Sequence, residues 1–193
     1  MTGVDTQSSI PGPLLWRRLD HPGLEHFTHA LPASGPVLEG TVIGMPDDTP
    51  LRVDYHIECT PDWHTRQVVV AMQHGARREV IELTRDAQFH WRRGGALLPN
   101  LDGCEDIDLS VTPSTNTLPI HRLSLNVGLS GDVTSAWILF PSCEIRPLPQ
   151  RYTRVADRRY RYESRDGEFT AELEVDAHGV VIDYPPFWER VRR

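Results

Sequence analysis

Two aspartates are the residues whose spacing most clearly indicates chemistry. Asp106 and Asp108 lie two positions apart, so on a strand both carboxylates project from the same face, while Ile107 and Leu109 project towards the core. Buried carboxylates need compensating donors, and a partly buried one holds its proton more tightly. The pair is therefore a candidate for acid–base or hydrolytic chemistry. The alternative is a turn-capping pair that accepts hydrogen bonds from backbone amides of the following loop.

The next segment supplies donors for such a pair. Thr115, Asn116 and Thr117 carry short polar side chains, and capping of a short helix would account for only one of the three. We therefore interpret all three as candidate ligand-binding residues. Arg122 either neutralises the aspartates in a structural ion pair or clamps an anionic head group with two hydrogen bonds, and the sequence leaves both interpretations open.

Further candidates are aromatic or basic. Trp63 and Arg66 flank the start of a β-branched run, where they form either the rim of a pocket or ordinary packing. Tyr152, Tyr160 and Tyr162 either line a cavity or pack on a sheet, since aromatic residues at a period of two are common in strands.

The elements that must position these residues are short strands. Phe169 to Val175 alternates apolar with acidic or polar residues, a period typical of a half-buried strand. Predicted strands cover Leu24–Ala30, Val37–Gly44, Leu51–Cys59, Gln67–Gln73, Glu79–Thr84, Val133–Phe140, Arg158–Glu163, Phe169–Val175 and Val180–Asp183. The turns Asp166-Gly167 and Asp176–Gly179 join the last three strands into a meander.

Helix is scarce in the prediction. A helical turn is expected over Asn116–Leu125 and a second short one from Pro186. The sequence therefore predicts a mainly β fold, a sandwich, barrel or roll with one or two short helical turns. At 193 residues one domain is expected over residues 14–193, after a flexible tail at residues 1–13.

Composition restricts the functional classes. A net charge of −7 argues against a nucleic-acid partner, because phosphate binding needs a basic surface. No secretory signal or membrane-spanning run is visible, so a cytoplasmic location without integral membrane association is expected. The three cysteines and the His21, His26 and His29 group suggest neither a disulfide framework nor a metal site, and no cofactor is expected. No motif that fixes a known catalytic reaction occurs.

Several blocks of the chain resemble one bacterial family. They are Trp63-His-Thr-Arg66, Leu101-x-Gly-Cys-x-Asp-x-Asp-Leu109, Pro113-x-Thr-Asn-Thr-Leu-Pro-Ile-x-Arg-Leu123, Gln150-x-Tyr152, Tyr160-x-Tyr162, and the segment from Val175 to Pro185. Together, over residues 14–190, they are similar to the "putative glycolipid-binding" family. The resemblance implies a spiral, antiparallel β-roll and a lipid or glycolipid ligand, and it adds Gln150 to the candidate site. The loop Asp86–His90 departs from the Asp-Gly-x-Gly turn usual in that family, so its shape does not carry over.

Three functions follow as hypotheses. The first is binding of a small amphipathic ligand in a β-roll cavity. The wall of this cavity is expected to carry apolar side chains of Val68–Val70 and Phe169–Val175. The polar groups expected to converge at one end are Asp106, Asp108, Asn116, Arg122 and Arg66. The second is an enzyme of unassigned reaction that uses Asp106 and Asp108. The third is a structural or interaction domain. The sequence fixes neither the ligand nor the oligomeric state.

Overall fold

Alternating polar and apolar residues give most of the chain the period of β-strands. The computed structural model describes residues 12–164 and 167–192. Its strands are β1 Leu14–Arg18, β2 Gly23–Ala30, β3 Val37–Gly44, β4 Leu51–Cys59, β5 Thr65–His74, β6 Arg77–Arg85, β7 Trp91–Arg93, β8 Ala96–Leu97, β9 Asp106–Leu109, β10 Ser130–Leu139, β11 Glu144–Ala156, β12 Arg159–Ser164, β13 Phe169–Val175, β14 Val181–Tyr184 and β15 Trp188–Arg190.

All of these strands belong to one open sheet. Their order is β8-β7-β6-β5-β4-β3-β2-β1-β15-β14-β13-β12-β11-β10-β9. Neighbours are antiparallel except β9 and β10, which run parallel. The two halves of the chain meet where β1 pairs with β15. The fold is therefore mainly β and consists of one domain, as the sequence predicts.

The sheet turns back on itself and encloses a core. The amide of Ile107 on the edge strand β9 donates to Thr65 Oγ1 at 3.0 Å, although β5 lies near the opposite end of the strand order. Only a strongly curved sheet can bring these strands together. The inward faces bury large side chains completely, among them Trp16, Phe27 and Trp91.

A short helical segment lies inside this curved sheet. A 3-10 turn, Ser114–Asn116, leads directly into helix α1, Thr117–Leu123. Leu118 and Ile120 are buried, and the helix ends where Ser124 adopts a left-handed conformation with φ 43°. Further 3-10 turns cover Pro46–Asp48 and Pro99–Leu101. The second helical turn predicted from Pro186 is wrong: residues 185–187 form a non-helical turn and β15 follows.

Most predicted strands are present within a few residues of their expected ends. β3 and β4 have the predicted bounds, and β12, β13 and β14 form the predicted meander. Gly167 and Gly179 have φ values of 88° and 69°, as their turns require. Asp166 and Arg165, together with residues 1–11 of the predicted tail, lie outside the described residues. No helix in the described ranges is long and apolar enough to cross a membrane.

The long strand β11 was missed because it contains Pro147 and Pro149. β11 pairs with β10 along most of its length, but with β12 only from Gln150 onwards. The prolines therefore lie in a half that has no partner on one side, where a missing N–H costs no ladder hydrogen bond.

Candidate functional site

A cavity of about 240 Å³ lies beside the half of β11 that has no second partner strand. Leu148 from that half, Ser164 from the end of β12 and Phe169 from the start of β13 all face it. Because β12 ends at Ser164, opposite Gln150 and short of the two prolines, the sheet leaves room here for a ligand. The described lining residues are Arg18, Asp108, Leu109, Ser110, Thr112, Asn116, Trp137, Leu148, Tyr162, Ser164, Phe169, Tyr184, Phe187 and Trp188.

Aromatic rings form one wall of the cavity. The ring of Phe169 lies 6.0 Å from that of Tyr162 and 5.6 Å from that of Phe187, and Tyr184 packs against the same group. These are ordinary edge and offset contacts between aromatic side chains. Arg18 lies over Phe187 at 5.1 Å, with its guanidinium held by Asp20. Aromatic side chains therefore dominate this wall, and Arg18, the cation among the described lining residues, already has a carboxylate partner.

Asp108 forms the polar end of the cavity. Its Oδ1 accepts a hydrogen bond from Thr115 Oγ1 at 3.2 Å and its Oδ2 accepts one from Gln150 Nε2 at 2.6 Å. Both donors are neutral, and the side chain keeps some exposed surface. Burial raises the pKa of the Asp108 carboxyl to about 6, and the two hydrogen bonds only partly oppose it. Among the described residues Asp108 thus has no cation partner, and it faces a cavity.

Asp106 has a different environment. It is completely buried, and Arg122 donates to both of its oxygens, at 2.6 and 3.3 Å. The same guanidinium lies 2.7 Å from Glu105. Burial raises the pKa of Asp106, and Arg122 pulls it back down. Neither Asp106 nor Arg122 is among the described residues that line the cavity.

The remaining predicted residues of the central block support this arrangement. Asn116 Oδ1 accepts from Tyr152 Oη at 2.8 Å and its Nδ2 donates to the carbonyl of Pro113 at 3.0 Å. Asn116 makes no side-chain capping bond to α1, so the capping interpretation is wrong. Gln150 also accepts from Ser135 Oγ at 3.0 Å, which orients its amide towards Asp108.

The turn-capping interpretation of the aspartates also fails. The hydrogen-bond partners of Asp106 and Asp108 in the described residues are side chains and not backbone amides of the loop. Thr117 is buried at the start of α1, and its hydroxyl has no hydrogen-bond partner within the described ranges. Thr117 therefore belongs to the interior of the block rather than to the cavity lining.

Two predicted residues lie elsewhere. Trp63 stacks on the ring of His121, with centroids 3.8 Å apart, and burial lowers the pKa of that histidine. Arg66 forms an exposed ion pair with Glu58 on the outer face of the sheet. The expected convergence of Arg66 with the aspartates is therefore wrong. The cause is strand alternation, which turns Arg66 outward while Thr65 faces the interior.

The predicted cavity walls were correct only in part. Phe169 lines the cavity, but Val68 and Val70 are buried in the core and are absent from the described lining. Of the three tyrosines, Tyr162 lines the cavity and Tyr152 bonds to Asn116. Tyr160 packs beneath Arg154 at 5.8 Å.

Sequence reasoning missed the residues at the C-terminal side of the cavity and a buried carboxyl. Much of the aromatic wall comes from Tyr184, Phe187 and Trp188. The signal in the sequence was the close spacing of these aromatic residues around Pro185-Pro186. Glu25 is completely buried next to Phe27 at a spacing of two. Residues two apart on a strand face the same side, so the spacing from Phe27 was the signal that Glu25 also faces the interior.

The loop that departs from the family pattern is ordered by its own aspartate. Asp86 Oδ1 accepts from the amides of Gln88 and His90, and Phe89 takes a φ of 65° beneath Arg85. No described lining residue of the cavity comes from this loop. Within the described ranges no group of three His, Cys, Asp or Glu side chains is arranged to hold a metal ion.

Comparison with known proteins gives two matches. The family described as "Putative glycolipid-binding" matches residues 13–190. A crystal structure of a DUF1089 family protein from Pseudomonas aeruginosa superposes with a TM-score of 0.79 at 31% sequence identity, covering 99% of this chain and 98% of that one. Among curated proteins no significant match was found. Since the family match covers nearly all of the chain, the protein belongs to the "putative glycolipid-binding" family.

Proposed function

We propose that the protein binds a small amphipathic ligand in the cavity at Asp108. The observation that carries this proposal is a carboxylate that has no cation partner within residues 12–164 and 167–192 and is held by Thr115 and Gln150 at the end of an aromatic-walled cavity. An apolar wall that faces a few convergent polar groups is a common arrangement in small-molecule sites. The family description points towards a glycolipid as the source of such a ligand.

The polar part of the ligand is proposed to be neutral and rich in hydroxyl groups. Above pH 6 Asp108 is largely ionised, so it attracts hydroxyl donors and repels anions. Arg122, the residue that could clamp an anionic head group, instead holds Asp106 and Glu105 away from the described lining. The geometry therefore favours the structural ion pair over the anion clamp for Arg122.

Size limits how much of the ligand the cavity encloses. Its volume of about 240 Å³ lies below the ~300 Å³ at which typical drug-sized sites begin. One ring or a short chain fits between the aromatic wall and Asp108. The rest of a larger amphipathic molecule would extend out of the cavity.

Binding of a neutral amphipathic ring is testable with octyl β-glucoside below its micellar concentration. Trp137 and Trp188 line the cavity, so intrinsic fluorescence should report saturable binding. Asp108→Asn should weaken binding by roughly tenfold or more, because it removes a charged acceptor. Asp54→Asn, on the outer face beside Arg52, is the matched control and should bind normally. Absence of saturable binding, or equal affinity in the Asp108 variant, would reject the proposal.

Acid–base catalysis at Asp108 is the second candidate. A pKa of about 6 lies close to the range in which a carboxyl can both give and take a proton near neutrality. The two-carboxylate version finds no support, since Asp106 is ion-paired and fully buried. Turnover of a substrate whose rate falls as the pH drops below about 6 would favour this candidate over simple binding. That turnover should be lost in Asp108→Asn while the fold is retained.

A further inference from the structure

A second carboxyl that has no cation partner in the described part of the chain lies behind the polar end of the cavity. Glu25 on β2 has no exposed surface. Its Oε1 accepts hydrogen bonds from Tyr55 Oη at 2.5 Å and from Thr112 Oγ1 at 2.7 Å. Its Oε2 is buried and has no hydrogen-bond partner in the part of the chain that the structure describes. With Oε1 occupied as an acceptor, the proton of a neutral acid would reside on Oε2.

The surroundings of Glu25 favour the neutral acid. Its cross-strand neighbours on β1 and β3 are Trp16 and Val42, both apolar. Among the described residues the titratable group that faces it is Tyr55 from β4, and burial holds the pKa of that phenol well above its ordinary value. Thr112, from the segment after β9, is uncharged. A buried carboxylate without a cation is costly, and burial accordingly raises the pKa of Glu25 to about 8.

The cluster depends on a close approach that only glycine allows. A Cβ atom at Gly40 would lie 2.4 Å from the ring and hydroxyl of Tyr55. The phenol can therefore cross β3 and reach Glu25 only because position 40 has no side chain. Beyond Glu25, Ser114 Oγ lies 2.7 Å from Tyr55 Oη, and the Ser114 amide donates to Thr112 Oγ1 at 2.9 Å. The cluster thus ties β2 and β4 to the segment that leads into α1.

We propose that Glu25, as a neutral acid, is the positioning residue that holds the polar end of the cavity in place. Thr112 and Asn116 both line the cavity, and Thr115 between them donates to Asp108. Ionisation of Glu25 places a buried anion, with no cation partner in the described ranges, against this segment and loosens it. The cavity wall is therefore ordered in neutral and acidic solution and weakened in alkaline solution, whether or not the proposed ligand binds there.

The direction of the pH effect follows from proton linkage. The pKa of Glu25 is about 8 in the folded protein, against an ordinary value of 4.5 when the chain unfolds. The folded state therefore holds the proton more tightly, and its stabilisation is complete below pH 4.5 and lost as the pH rises to 8. Such a displacement corresponds to roughly three decades in the unfolding constant, or about 10 °C in Tm for a chain of this size.

Glu25→Gln is the informative substitution, because the amide has the shape of the neutral acid and does not ionise. Thermal unfolding of wild type, Glu25→Gln and the exposed control Glu82→Gln would be followed by circular dichroism from pH 5 to 9, without ligand. The Tm of wild type relative to Glu25→Gln should fall by about 10 °C between pH 5 and 8.5 and then level off. Relative to Glu82→Gln, the Tm of wild type should stay constant over the same pH range. Parallel profiles for wild type and Glu25→Gln would overturn the proposal.

Two measurements keep the test decisive if Glu25→Gln folds poorly. A ¹³C titration of the side-chain carboxyls in wild type should show one glutamate with a midpoint above pH 7, and its absence contradicts the proposal. Hydrogen exchange of the Ser114 amide, corrected for intrinsic base catalysis, should accelerate above pH 8. Unchanged protection there would show that ionisation does not reach the cavity wall.

Discussion

Asp106 and Asp108 lie two residues apart on β9, but their different surroundings give them different roles. Asp106 has no exposed surface and is bound by Arg122, which in turn contacts Glu105. Asp108 is held by two neutral donors and faces the cavity. Carboxylates on one strand face can therefore separate into a structural ion pair and a ligand-facing group, because the partner that reaches each one comes from a different element.

The largest expected effect comes from breaking the ion pair. Arg122→Ala leaves Asp106 buried without the cation that stabilises its charge, so the free energy of unfolding should fall by about 3 kcal/mol. Urea denaturation of this variant, of Asp106→Asn and of the double variant would measure it, and the double variant should cost less than the sum of the two. A variant that keeps its stability but loses ligand binding would instead assign Arg122 to an anion clamp.

Asp108→Asn should change the pH dependence of stability rather than the fold. The pKa of Asp108 is about 6 in the folded protein against 3.8 ordinarily, so its contribution is complete below pH 3.8 and is lost as the pH rises to 6. The free energy of unfolding of wild type relative to this variant should therefore fall by about 2 kcal/mol over that range, allowing for the partial exposure. Denaturant titrations from pH 4 to 7 would measure it. A difference that is independent of pH would place Asp108 in an ordinary solvated environment.

Tyr152→Phe removes the hydrogen bond to Asn116 Oδ1 while it keeps the ring. We expect a loss of about 1 kcal/mol in the free energy of unfolding, because one buried acceptor loses its partner. Chemical denaturation gives the loss, and binding of octyl β-glucoside should weaken slightly because Asn116 lines the cavity. Full stability would mean that another donor satisfies Asn116.

The smallest effect is expected at Arg66. Its ion pair with Glu58 is exposed, with 52% of the arginine side chain accessible. Arg66→Ala should change the free energy of unfolding by no more than about 0.5 kcal/mol and leave ligand affinity unchanged. A clear loss of affinity in a fluorescence titration would restore Arg66 to the site.

The local features of the molecule were predictable, and the long-range ones were not. Period-two patterns located β4 and β13. Arg122 and the threonine hydroxyls were expected to supply donors to the two aspartates, and in the structure Arg122 reaches Asp106 and Thr115 reaches Asp108. These contacts span at most one turn and a short helix.

Two features escaped prediction because they depend on curvature of the whole sheet. Thr112 meets Glu25 across 87 positions of sequence, and no local pattern encodes that contact. Likewise, the cavity exists because β12 stops short of the prolines in β11, which is a property of strand pairing and not of either strand alone.

Binding at Asp108 can be tested by native mass spectrometry of protein purified gently from its own host. A discrete neutral amphipathic molecule should co-purify with wild type and with Arg66→Ala, and it should be lost from Asp108→Asn. A ligand retained at the same occupancy in Asp108→Asn would contradict the assignment of Asp108 to the ligand site.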